Sequence, residues 1–158
     1  MNKFNTADLC DDYDLPIAQP IFKSYGAKTH CYGLIKTVEA IEDNSYVKKL
    51  LQTNGSGCVM VIDGKASTKC ALVGDNLAAL AVQNNWSGII VNGCIRDSLE
   101  INDISISIKA LNLVPNKSDK KDKGSYGLDL SFAGITFREN EYIYSDPDGI
   151  VISKQKLL

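Results

Sequence analysis

The chain has one histidine, His30, one tryptophan and four prolines, and no apolar run long enough to span a bilayer. Each shortage removes a class of function. A lone histidine excludes a histidine-rich metal centre, so any metal must be held mainly by oxygen ligands. With no G-x-S-x-G turn beside it, a Ser-His-Asp hydrolase is not expected either. Cys10, Cys31, Cys58, Cys70 and Cys94 are odd in number and form no C-x-x-C pair, which fits reduced thiols better than a disulfide framework or a zinc site. The N-terminus carries no leader-like apolar stretch, and a soluble, cytoplasmic protein with no membrane association is expected. Basic charge is not in excess: the formal net charge is −2 and the pI is near 5.4. Direct nucleic-acid binding is therefore not expected. The only basic cluster, Lys117-Ser-Asp-Lys-Lys-Asp-Lys123, alternates with aspartate and carries no aromatic residue, as a solvated loop does.

What is present suffices for one well-buried domain over residues 1–158, with 44% hydrophobic content and no repeat or linker. A short helix is expected over Thr6–Tyr13 with Thr6 as N-cap, a strand over His30–Val38, and a capped helix over Asp43–Leu51. A buried strand over Gly57–Ile62 ends at the turn dipeptide Asp63-Gly64, and Ile104–Ala110 is a further strand. Short strands over Leu128–Phe132, Ile135–Phe137, Tyr142–Tyr144 and Ile150–Ile152, separated by turn residues, give the C-terminal part a hairpin character.

The most informative stretch runs from Gly74 to Asp97. Leu77, Leu80, Ala81 and Val82 share one side of a helix over Asn76–Gln83, which places Gly74 and Asp75 at its N-terminus. Free N–H groups and the positive end of the helix dipole there suit a carboxylate or phosphate, and glycine lets the ligand come close. Gly88–Val91 reads as a short buried strand, and the loop Asn92–Asp97 would leave its carboxyl end beside that helix terminus. Arg96 offers a planar fork for a carboxylate, and Asp97 offers hard oxygens for Mg²⁺ or Mn²⁺; together they suit the two ends of a 2-oxo acid. The simpler reading takes Asp97 as the N-cap of a helix over Ser98–Ile101, paired with Arg96 at the surface. Cys94 shares the loop without a neighbouring base.

Thr6-Ala-Asp-Leu-Cys-Asp, Glu42-Asp-Asn44, Val61-Ile-Asp-Gly64, Gly74-Asp-Asn-Leu77, Asn92-Gly-Cys-Ile-Arg-Asp97, Phe132-Ala-Gly-Ile-Thr-Phe137 and Asp148-Gly-Ile-Val151 occur in an order and spacing that resembles the RraA-like family over nearly the whole chain. That family includes the regulator of ribonuclease E activity A and metal-dependent 4-hydroxy-4-methyl-2-oxoglutarate aldolases that also decarboxylate oxaloacetate. Older names in it refer to menaquinone methyltransferases, for which this sequence has no glycine-rich methyl-donor site. The aldolase branch is marked by Asp, twenty intervening residues and Arg-Asp, met here by Asp75, residues 76–95 and Arg96-Asp97.

The resemblance implies an α/β protein with a single swivelling-type β/β/α domain, assembled as a homotrimer with sites between subunits. It implies a lyase that releases pyruvate through a metal-stabilised enolate. The amides of Gly74, Asp75, Asn76 and Leu77, with Arg96, would hold the substrate; Asp97 would bind the divalent cation; Asp75 would position a water for proton transfer or simply stabilise its helix. The alternative is a non-catalytic regulator that binds ribonuclease E. A Schiff-base aldolase using Lys65 or Lys69 is a further rival, against the simpler reading of both as surface charges.

Overall fold

The computed structural model describes residues 3–158. Its elements are α1 (Thr6–Asp12), β1 (Lys23–Tyr25), β2 (Cys31–Glu39), α2 (Ser45–Leu51), β3 (Cys58–Asp63), β4 (Ala71–Val73), α3 (Asp75–Gln83), β5 (Gly88–Ile95), α4 (Ser98–Asn102), β6 (Ser107–Leu113), β7 (Ser125–Tyr126), β8 (Leu130–Phe132), β9 (Ile135–Phe137), β10 (Tyr142–Asp146) and β11 (Gly149–Ser153). Among the described residues no helix is long and apolar enough to cross a membrane.

The main sheet has nine strands in the order β1-β6-β5-β3-β2-β10-β11, with β4 added beside β5 and β7 beside β2. Its centre is parallel and its flanks are antiparallel. Parallel strands are covered on both faces, and β3 shows the consequence in its side chains. Met60 and Ile62 enter the core beneath α2, α3 and α4, whereas Val59 and Val61 enter the opposite core beneath the separate β8–β9 hairpin. Helices, sheet and hairpin thus make an α/β architecture in β/β/α layers, as the resemblance implies.

Several expectations change in detail. Asn5, not Thr6, is the N-cap of α1, accepting the Asp8 N–H at 2.7 Å. Thr6 turns instead to Asp146, donating its N–H at 2.6 Å and its hydroxyl at 2.7 Å, and so ties α1 to β10. On α3, Val82 lies outward at 39% exposure while Ala78 and Ala81 are buried; small side chains let the helix lie close to the sheet. Strand β5 runs on through Ile95 because β4 arrives to pair with it, so most of the expected Asn92–Asp97 loop is strand. Strand β6 is offset from the expected Ile104–Ala110, and β1 and β4 are too short to leave a periodic pattern.

The lysine-rich segment is tethered. Asp43, 4% exposed, accepts the Ser45 N–H and hydroxyl on Oδ1 and the N–H groups of Lys121 and Lys123 on Oδ2, and Ser118 donates to Asn44. Burial alone would raise the Asp43 pKa, but these donors outweigh it and hold it down to about 2. Asp146 is also held below the usual carboxylate range, its burial outweighed by the bonds from Thr6, Asp148 and Gly149.

Both folded-state pKa values lie below their unfolded values, so this stabilisation is complete above about pH 4 and is lost as the pH falls toward about 2. Urea unfolding followed by circular dichroism across that range is expected to show the midpoint falling with pH. Asp43→Asn should flatten part of the slope and lower stability at pH 7 by about 1–2 kcal/mol. An unchanged slope in the variant would remove Asp43 as its source.

Candidate active site

Strand β4 ends at Val73 and β5 at Ile95, and these two residues are paired in parallel register. The turns that follow, Gly74-Asp75 and Arg96-Asp97, therefore emerge side by side. The Arg96 N–H closes the junction on the Val73 carbonyl at 3.0 Å.

Asp97 sits at the N-cap position of α4 with φ 60° and ψ 45°, in left-handed backbone, and its carbonyl accepts the Ile101 N–H at 2.9 Å. Its side chain does not cap α4. Oδ2 instead accepts the Asp75 N–H at the start of α3, at 3.1 Å, and lies 3.8 Å from Arg96 Nε. Its backbone thus starts α4, as expected of an N-cap, while its carboxylate lies at the hollow described below. A Cβ on Gly74 would fall 2.7 Å from that oxygen, so this approach requires glycine.

First-turn N–H groups of a helix have no intrahelical acceptor. In α3 the Asp97 carboxylate takes that of Asp75, the Asp75 carboxylate takes that of Asn76 at 2.8 Å, and among the described residues none takes that of Leu77. An incoming carboxylate would meet the Leu77 amide directly and would compete with the protein's own carboxylates for the other two. Among the described residues the Arg96 side chain makes only a 3.5 Å contact with the Pro115 carbonyl besides Asp97, and it is 38% exposed, so donor edges face solvent.

These residues line one hollow of about 350 Å³, together with Asn44, Lys48, Lys117 and Lys120. The sequence reading missed these last four. No spacing in the chain joins them to Arg96: Asn44 and Lys48 come from the start of α2, and the tether at Asp43 brings the loop of Lys117 and Lys120 across it. A larger open groove of about 760 Å³ lies between β11 and the β8–β9 hairpin, walled by Leu15, Pro16, Phe132 and Ile135. It contains none of the expected site residues, and its size does not outweigh the chemistry of the smaller hollow.

Lys65 and Lys69 do not line the hollow. Lys65 is beside Asp63 and Glu39, whose carboxylates raise its pKa, the reverse of what a nucleophilic amine needs, and Lys69 is beside Glu42. Burial raises the Cys94 thiol as well, and it is 1% exposed, as an inert core residue would be.

Among the described residues no three His, Cys, Asp or Glu side chains converge as a metal cage. The donor set still suits a hard cation of the Mg²⁺ type, which keeps several waters and takes one or two carboxylates plus substrate oxygens. Asp97 is the carboxylate available for that, partly exposed at the hollow.

Several known proteins are similar to this chain over nearly its whole length. A protein of Bacillus cereus, provisionally named 4-hydroxy-4-methyl-2-oxoglutarate aldolase, is 47% identical over 156 residues, covering 98% of each chain. A crystal structure from Geobacillus kaustophilus, described as S-adenosylmethionine:2-dimethylmenaquinone methyltransferase, superposes with a TM-score of 0.95 at 41% identity, covering 98% of this chain and 97% of that one. The RNA-processing inhibitor RraA from Thermus thermophilis superposes with a TM-score of 0.95 at 32% identity, covering 99% of this chain and 96% of that one. The RraA-like family model, described as Aldolase/RraA, matches residues 6–152, and the chain belongs to that family.

Proposed function

We propose that the chain is a divalent-metal-dependent lyase acting on small 2-oxo acids, cleaving 4-hydroxy-4-methyl-2-oxoglutarate to pyruvate and also decarboxylating oxaloacetate. The observation that carries this reading is the convergence of the Arg96 guanidinium, the Asp97 carboxylate and the N-terminus of α3 on one hollow. The aldolase names of the relatives support the same class of reaction.

The chemistry required is stabilisation of the pyruvate enolate left when the carbon–carbon bond breaks. Arg96 supplies a fixed cation and paired donors for the substrate carboxylate and oxo group. The Leu77 amide and the positive end of α3 support the same negative charge. Asp97 would hold Mg²⁺ or Mn²⁺, which when bound supplies a Lewis acid for the 2-oxo oxygen. Asp75, in the first turn of α3, would hold a water that moves a proton at the substrate hydroxyl or at the enolate carbon. The site would be completed in a homotrimer, in clefts between subunits, in the cytoplasm.

A second reading follows from the likeness to the RNA-processing inhibitor. A protein that acts by binding ribonuclease E needs no metal and should inhibit equally well with Asp97→Ala.

Incubation with oxaloacetate and Mg²⁺ or Mn²⁺ is expected to release pyruvate above the metal-only blank and to stop with EDTA. Arg96→Ala and Asp97→Ala should each lower kcat by about 100-fold or more, the scale of losing one group that stabilises developing charge. Metal-independent turnover, or full activity in both variants, would refute the enolate site. A separate expectation concerns Gly74→Ala: its methyl group would displace the Asp97 carboxylate, so turnover should collapse while the thermal midpoint moves by no more than a few degrees.

A further inference from the structure

We propose that Asp63 is a positioning residue for this site, holding the point at which β5 changes neighbours; the inference rests on the reaction proposed above. Asp63 ends β3 and is 1% exposed. Its Oδ1 accepts the Lys65 N–H at 2.8 Å and the Asn92 Nδ2 at 2.9 Å. Lys65 Nζ stands 3.1 Å from Oδ2, at ion-pair distance but off hydrogen-bond alignment. Asn92 returns the contact through its backbone, where its carbonyl accepts the N–H groups of Gly64 at 3.0 Å and Ala66 at 3.2 Å. Lys65 and Ala66 lie at φ 53° and 57°, left-handed backbone that non-glycine residues keep only where surrounding bonds over-determine it.

The place of Asn92 in the sheet makes this network matter. Asp63 and Asn92 form the last rung of the β3–β5 ladder. Two residues on, Cys94 pairs with Ala71, and the β5–β6 register slips between Val91 and Cys94. Strand β5 therefore exchanges β3 for β4 just after Asn92. Gly74-Asp75 continues from β4 and Arg96-Asp97 from β5, so the distance between the two halves of the site is set at this exchange. Asp63 does not line the hollow, and it acts through Asn92.

Three variants separate the parts. Asp63→Ala removes the acceptor, Asp63→Asn keeps an amide oxygen in its place, and Asn92→Ala removes the other arm while leaving Asp63 bonded to Lys65. With oxaloacetate and Mn²⁺, both alanine variants are expected to lose about tenfold or more in kcat with KM within about threefold of wild type, and Asp63→Asn to recover to within about threefold, because small misplacements are felt in the rate. Hydrogen exchange, which needs no turnover, should quicken in both alanine variants at the amides of Asp75 and of Cys94 to Asp97 and return toward wild type in Asp63→Asn. Should Asp63→Ala fail to fold, Asn92→Ala carries both readouts. Wild-type exchange at those amides in a folded alanine variant, or a loss in Asp63→Asn equal to that in Asp63→Ala, overturns the proposal. Absence of metal-dependent turnover in the wild type would instead count against the reaction, and the exchange data would then decide the positioning role alone.

Discussion

The pairing of two residues of the three-residue strand β4 with the end of β5 is the constraint on which the candidate site depends. Ala71 opposite Cys94 and Val73 opposite Ile95 bring together two turns that are 22 residues apart in the chain. Parallel strands deliver their carboxyl ends to the same edge of the sheet, where an exposed turn can carry polar groups without leaving them buried and unpaired. The Arg96 N–H on the Val73 carbonyl and the Asp97 carboxylate on the Asp75 N–H then join the turns directly. If that short ladder slipped by one residue, each side chain would change faces and the guanidinium and carboxylate would leave the hollow.

The same edge explains how one fold accommodates relatives with different names. A buried core of alternating Val, Ile and Met residues on β3 says nothing about chemistry, whereas a few polar residues beyond the strand ends carry it. The Thermus protein and this chain share the scaffold, so the proposed lyase reading rests on the acidic and basic groups at the hollow and not on the fold.

Much of the site was legible before the structure because its parts are local. Gly74 before an alanine-rich helical period identifies a helix N-terminus, and an apolar run before Arg96-Asp97 identifies a strand end; periodicity of 3.6 or a buried run is enough for either. The partners that depend on distance in the chain were not legible. Lys120 meets the hollow on a loop whose amides Asp43 grips from 78 and 80 residues away, and Lys48 meets it from α2. Strand β4 is an Ala-Leu-Val triplet whose identity comes from its neighbour, not its composition. Val82 illustrates the reverse error: hydrophobicity suggested burial, but close helix–sheet approach favoured Ala78 and Ala81. The cap of α1 was misplaced by one residue because Asn5 and Thr6 are both capping types, and only the long-range partner Asp146 decides between them.

The left-handed backbone of Asp97 sets stability and function against each other at one position. An L-residue there costs about 1 kcal/mol that glycine would not incur. Against that cost stands the bond from the Asp75 N–H to its carboxylate, and selection for thermal robustness alone would weigh only these two and not the proposed chemistry. A glycine accepted at this position would leave an intact fold without the proposed chemistry, and the loss would be invisible to any screen that measures folding.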